Sequence, residues 1–238
     1  EAKLNITVAV LPKLTAFGEF SFYQHTNPNS TIDISALPSL LEVEQHAFET
    51  FSGNVALGRM PSLLTVEQNA FRSFTGKLDI SAGDVLNVTA FESHAFYQGK
   101  HTDSIISFGA MPSLAYIASN AFGYIKGALM IAAGDMPKLK YIHSYAFYNH
   151  GCPDSNISIG SMPSLVAIGD YAFYNVKGLL EIGAGGMPQL SQIGYQAFGS
   201  IPNTDSSIAL GAMPLLEMIS YYAFMNYRGK LTLEGGAM

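Results

Sequence analysis

The sequence predicts a repeat solenoid of about nine stacked coils, and three observations carry that expectation. One phrase recurs from end to end: Met162 to Gly186 reads MPSLVAIGDYAFYNVKGLLEIGAGG, and copies start at Leu11, Leu37, Met60, Val85, Met111, Met136, Met162, Met187 and Met213. The copies keep one register. Phe17, Val43, Val66, Phe91, Ile117, Ile142, Ile168, Ile193 and Ile219 align, and an Ala-Phe pair follows in eight of the nine, with Ser21-Phe22 in the first. Finally, neither half of a copy can bury its apolar side alone, whereas stacked copies bury a continuous core.

Each element of the phrase has its own signal. Leu165 and Ile168 stand three apart, in a stretch too short for an independent helix. Ala172 and Phe173 follow as the next core position. Leu180 and Ile182 then alternate, one residue in and one out, as a strand does. Gly178 is expected to supply the turn that leads into that strand. Ten such strands at a spacing of about 4.8 Å would give a stack about 45 Å long.

Copy length carries more. Most copies have 25 or 26 residues and alternate, so from Met60 onward the true period is 51. Short copies place strand residues at Leu78/Ile80, Leu129/Ile131, Leu180/Ile182 and Leu231/Leu233. Long copies add three polar residues before the strand, at Ile106/Phe108, Ile157/Ile159 and Ile208/Leu210, and drop two after it. Insertions confined to one point of a repeat predict loops along one edge, here on every second coil. The copy from Leu37 to Arg59, at 23 residues, breaks the alternation once. Leu4 and Ile6 read as the strand of a preceding copy and Met238 as the start of a following one. Residues 1–238 are therefore expected to be a single solenoid excerpted from a longer array.

Composition narrows the function. Hydrophobic content is 48% and charged content 13%, and so little surface charge favours lateral contacts or glycan cover. The net charge is −6 with Lys and Arg scattered singly, which excludes the footprint of a nucleic-acid binder. No apolar run approaches a membrane span, and no signal peptide is seen.

Ile168-Gly169-Asp170-Tyr171-Ala172-Phe173-Tyr174-Asn175 resembles the signature of the BspA-like leucine-rich repeats, roughly V-x-x-I-x-x-x-A-F-x-x-C. The resemblance covers the whole chain, one unit per copy. It implies a right-handed leucine-rich-repeat solenoid, with a parallel sheet on one face and short turns or 3-10 segments on the other. It also implies adhesion at bacterial or protist surfaces and no enzymatic activity. The chain departs from the pattern in lacking the cysteine after Ala-Phe, in opening copies with Met-Pro, and in its longer period.

Candidate sites follow from the register. The position after the repeated Phe holds Tyr23, Tyr97, Tyr148 and Tyr174, either an interaction stripe or caps on the Phe column. The position before Ala holds His46, His94, Tyr145, Tyr171 and Tyr222. Asn5, Asn29, Asn87 and Asn156 open N-glycosylation sequons, at outward or loop positions. Cys152 is the single cysteine, read as an unpaired thiol at a loop tip or as an intermolecular bridge.

Outward strand positions are read as Asn5, Asp33, Ala56, Asp79, Ser107, Met130, Ser158, Glu181, Ala209 and Thr232. They offer no threonine ladder for ice and no adjacent carboxylate pair for catalysis. No metal, cofactor or catalytic set is expected. Two readings remain: an extracellular or cell-surface solenoid for adhesion or protein recognition, or a structural subunit that self-associates into an extracellular filament. The partner would be a protein or matrix molecule, or further copies of the chain.

Overall fold

A coil opens where proline follows a core residue. Proline pre-sets φ for the second position of a β-turn, and Leu165 N–H closes that turn onto Met162 O at 3.1 Å. Leu40, Leu114 and Leu190 bond back to Leu37, Met111 and Met187 in the same way. Both ends of each of these turns are buried hydrocarbon, so the turn is anchored by the core it borders. Two extended residues follow, such as Ala167–Ile168, and pair in parallel with their counterparts in the coils on either side. The computed structural model describes residues 2–234, and across them these pairs form a nine-stranded sheet from Ala16–Phe17 to Met218–Ile219. The three-residue spacing of Leu165 and Ile168 therefore marks a turn and a short strand.

The Ala-Phe segment continues as two interleaved turns. In the second coil, Ala47, Glu49 and Phe51 donate to the residue three before, while His46, Phe48 and Thr50 donate to the next coil. Alternate amides thus serve the coil and the stack, and no backbone donor in the segment is wasted. The geometry needs left-handed backbone at two points. Among the described residues eighteen non-glycine residues have positive φ, two per coil, at the position before Ala and the third position after it. Phe22, Phe48, Phe71, Phe96, Phe122, Phe147, Phe173, Phe198 and Phe224 project inward from this ladder as one stack, with centroids 4.9–5.3 Å apart.

The chain then enters the larger, ten-stranded parallel sheet: Asn5–Val10, Thr31–Ala36, Asn54–Arg59, Leu78–Ser81, Ile105–Phe108, Ala128–Gly134, Asn156–Ile159, Leu179–Gly185, Ser207–Leu210 and Lys230–Leu233. Strands alternate buried and outward residues as expected. Gly178 stands at the bend that leads into the Leu179–Gly185 strand, as expected, and has a second role. A Cβ there would lie 2.3 Å from Ser155 O, so glycine is required for close approach between coils.

The 51-residue period has its physical cause here. One column reads Ser30, Gly53, Gly76, Ser104, Gly127, Ser155, Gly178, Ser206, Gly229. Each glycine has the carbonyl of the preceding member within 2.5 Å of where its Cβ would be. Each serine instead belongs to a coil with an added turn, and its buried hydroxyl accepts a backbone N–H from the coil before: Leu4, Leu78, Leu129 and Leu180 at 2.9–3.0 Å. The side chain stands in for the backbone acceptor that the inserted turn carries away.

Strand register corrects the sequence reading in two places. Ile6 and Val8, not Leu4 and Ile6, pair with Ile32 and Ile34. Where a short coil meets a long one, its second apolar residue faces the long coil's first: Ile80 with Ile106, Ile131 with Ile157, Ile182 with Ile208. Irregularities at Ala132/Gly134 and Ile182/Gly185 restore the pairing, with Gly134 at φ +60°. Outward residues therefore form stepped rows. Asp33 lies between Thr7 and Ala56, Asp79 between Ala56 and Ile105, and Glu181 between Ser158 and Ser207. Met238 lies outside the described residues.

Candidate interaction surface on the turn face

The two left-handed positions of each coil, and the residue between the repeated Phe and the second of them, carry side chains to the outside of the turn ladder. Side chains at these positions repeat at the coil spacing, so aromatic rings in successive coils meet. From the fourth coil onward they do. Tyr97 contacts His94, ring centroids 4.8 Å apart, and Tyr124 at 5.5 Å. Tyr124 meets Tyr148 at 5.2 Å, and Tyr148 stacks on Tyr174 at 5.4 Å. A second line runs from Tyr145 through Tyr171 and Tyr195 to Tyr222, with spacings of 5.1, 5.1 and 5.9 Å. Tyr145–Tyr148 and Tyr171–Tyr174 contacts join the two lines.

The backbone makes room for the rings. A Cβ on Gly123 would meet Tyr97 Cδ2 at 3.2 Å, and one on Gly199 would meet Tyr174 Cδ2 at 3.0 Å, so each of these rings lies over a glycine of the next coil. Two of the phenols, Tyr148 and Tyr171, hold their protons more firmly than usual. Loss of water around it, then a hydrogen bond to Tyr195, pushes Tyr171 up to about 12. Burial and the neighbouring Tyr124 push Tyr148 up as well. The row thus presents hydroxyls and ring edges, with one face of each stacked ring turned to its partner. An open cleft lies between Tyr97, Asn120, Tyr124, Tyr145 and Tyr148.

The neighbouring surface of coils two to four is acidic. Glu44, Glu67 and Glu92 follow one another beside the short strands, and burial together with Glu42, Glu44 and Glu92 raises the Glu67 carboxyl. They are tied into the stack. Glu44 and Glu67 accept the backbone N–H of Glu19 and Gln45 from the preceding coils, and Glu92 accepts the Tyr116 hydroxyl.

Of the four tyrosines read as a stripe or as caps, Tyr97, Tyr148 and Tyr174 join the row, and their ring contacts here are to Tyr and His. Tyr23 stands apart against Phe20 and His46. Sequence reasoning missed Tyr124 and Tyr195, which lie at different repeat positions and reach the row only through folding. Asn5, Asn29 and Asn87 are exposed, while Asn156 is half-buried within a strand, between Met130 and Leu179. Cys152 is not at an open loop tip: it is 8% exposed, inside the turn closed by Ser155 N–H on its carbonyl. Among the described residues no helix is long and apolar enough to cross a membrane.

The profile of the BspA type leucine rich repeat region matches the chain in six copies, over residues 2–127 and 89–230. Searches of curated proteins and of solved structures return no match.

Proposed function

The chain belongs to the BspA-type leucine-rich-repeat family, whose members are generally surface proteins of recognition or adhesion, and from that premise we propose that it is a non-catalytic extracellular recognition solenoid whose tyrosine row docks on a protein partner. One observation carries the choice of surface: aromatic rings in unbroken contact across six coils, on the face opposite no other element of the chain. Tyr gives large contact area at small entropic cost and is enriched among interface anchors.

The test is adhesion of the labelled chain to cells and to surfaces coated with matrix proteins. Tyr124→Asn with Tyr145→Asn keeps the backbone, since Asn149 and Asn120 hold the corresponding left-handed positions in other coils. Loss of two anchors is expected to weaken binding by about 2 kcal/mol or more. Undiminished binding by the double variant would reject the row as the docking face. A second reading, lateral self-association into a filament, is favoured by the 13% charge content. Light scattering and negative-stain microscopy separate the two: concentration-dependent fibres support the filament, short rods the binding module.

A further inference from the structure

The same row is a chain of phenols close enough to share an unpaired electron. We propose that it is a site of oxidative modification, where adjacent coils become joined by dityrosine between Tyr145 and Tyr171 or between Tyr148 and Tyr174. Both pairs come from neighbouring coils whose backbones are already bonded: Tyr145 N–H donates to Asp170 O and Asn149 N–H to Tyr174 O, each at 2.9 Å. Their rings are near-parallel, at 13° and 17°, with centroids 5.1 and 5.4 Å apart. At that separation parallel rings are offset, which brings an edge of one ring against its neighbour. The carbons that couple in dityrosine, ortho to the hydroxyl, lie on ring edges. Coupling then requires the two side chains to turn until an ortho carbon of each ring meets the other.

The row also delivers the radical. Members at and near its ends are open to an oxidant, Tyr222 at 60% and Tyr124, next to Tyr97, at 39% exposure. Every further ring contact along the row is 5.9 Å or less between centroids. An electron lost at Tyr222 or Tyr124 is therefore replaced from ring to ring until a stacked pair holds the deficit. The co-reactant is hydrogen peroxide, used through a haem peroxidase. Two phenols each give up one electron and one proton, the two phenoxyl radicals couple through ortho carbons, and the displaced ring hydrogens return to the oxygens. In sum, two phenols and one hydrogen peroxide give one biphenol and two waters. This chemistry is independent of whether the row docks a partner.

The experiment treats the dilute chain with a haem peroxidase and less than one equivalent of hydrogen peroxide. Dityrosine fluorescence, intact mass and peptide mapping are read. The expected product is a monomer two hydrogen atoms lighter, with Tyr145 linked to Tyr171 or Tyr148 to Tyr174. Tyr145→Phe with Tyr148→Phe keeps the stacks but cannot couple, and is expected to lose the monomeric dityrosine signal. Three results overturn the proposal: cross-links only between molecules, links mapping to Tyr23 or Tyr227, or an undiminished signal in the double variant.

Discussion

His150 occupies a column that five other coils fill with hydrocarbon, at Phe51, Phe74, Ile125, Val176 and Ile201, and the first coil with His25. Its ring is fully buried, shares a 2.5 Å hydrogen bond with Ser155 Oγ, and has Nδ1 without a partner among the described residues. Burial pushes its pKa from the ordinary 6.5 down to about 4. Between those values the unfolded chain holds more protons than the folded one, so stability falls as pH drops from 6.5 towards 4, by about 3 kcal/mol over the full interval. His150→Ile reproduces the coil in which Ile201 occupies this position, and is expected to flatten that dependence. Denaturant unfolding at about pH 7 and about pH 4.5 checks it; an equal acid loss in the variant would disprove the assignment. Thr50 offers a second case. It is β-branched at φ 57°, whereas Asn149, Asn175 and Asn226 hold the same position elsewhere. Thr50→Asn is expected to stabilise the fold by about 1 kcal/mol, read as a rise in melting midpoint. Neither residue could be singled out from the string. His150 stands three residues after Phe147, as Phe51 does after Phe48, so alignment places it in that column without showing that the column is sealed from water, and no spacing announces a left-handed backbone.

The strand of each coil was legible because alternation has one physical meaning when one face is buried, and Leu180/Ile182 gave it cleanly. The short strand was not, because two residues cannot show a period. Its inward member was still recognised, since Ile168 and its counterparts form a column regardless of backbone shape. The inward Phe column was equally open to reading, and it makes a prediction about how coils support one another. Phe147 stacks on Phe122 and Phe173, so Phe147→Ala is expected to cost about 3–5 kcal/mol. Hydrogen exchange is expected to quicken first in those neighbouring coils, and uniform quickening would contradict nearest-neighbour coupling. Gly178→Ala tests the closest approach between coils: the added methyl must displace Ser155 backbone, at a cost of about 1–3 kcal/mol or more. A glycine serving only a turn would tolerate alanine better.

The molecule as a whole divides along its axis, acidic beside the short strands of coils two to four and aromatic on the turn face from coil four onward. The sequence hinted at the second half, through Tyr97, Tyr148 and Tyr174, but the row needs Tyr124 and Tyr195 as well. Those two reach it from other repeat positions, so aligning copies could not assemble it. The serine–glycine column carries a prediction at this size. Coils 37–59 and 60–84 already set one glycine-bearing coil against another, whereas no two serine-bearing coils adjoin. Deleting residues 136–161 is therefore expected to leave a cooperative fold with one coil fewer, because it creates only the first kind of contact. Deleting residues 111–135 would bring Ser104 and Ser155 together and is expected to fail, as read by circular dichroism and thermal unfolding. Equal behaviour of the two deletions would refute the rule.

That column also bears on inheritance. Recombination between repeated DNA segments adds or removes whole units, yet a serine-bearing coil cannot be set beside another serine-bearing coil here. A duplication spanning 51 residues restores the same neighbours at both junctions, so it leaves the protein folded whichever coil of the pair it starts from. The gene's natural letter is thus a pair of coils, and at the lone 23-residue copy the alternation lapses, with Gly53 set beside Gly76.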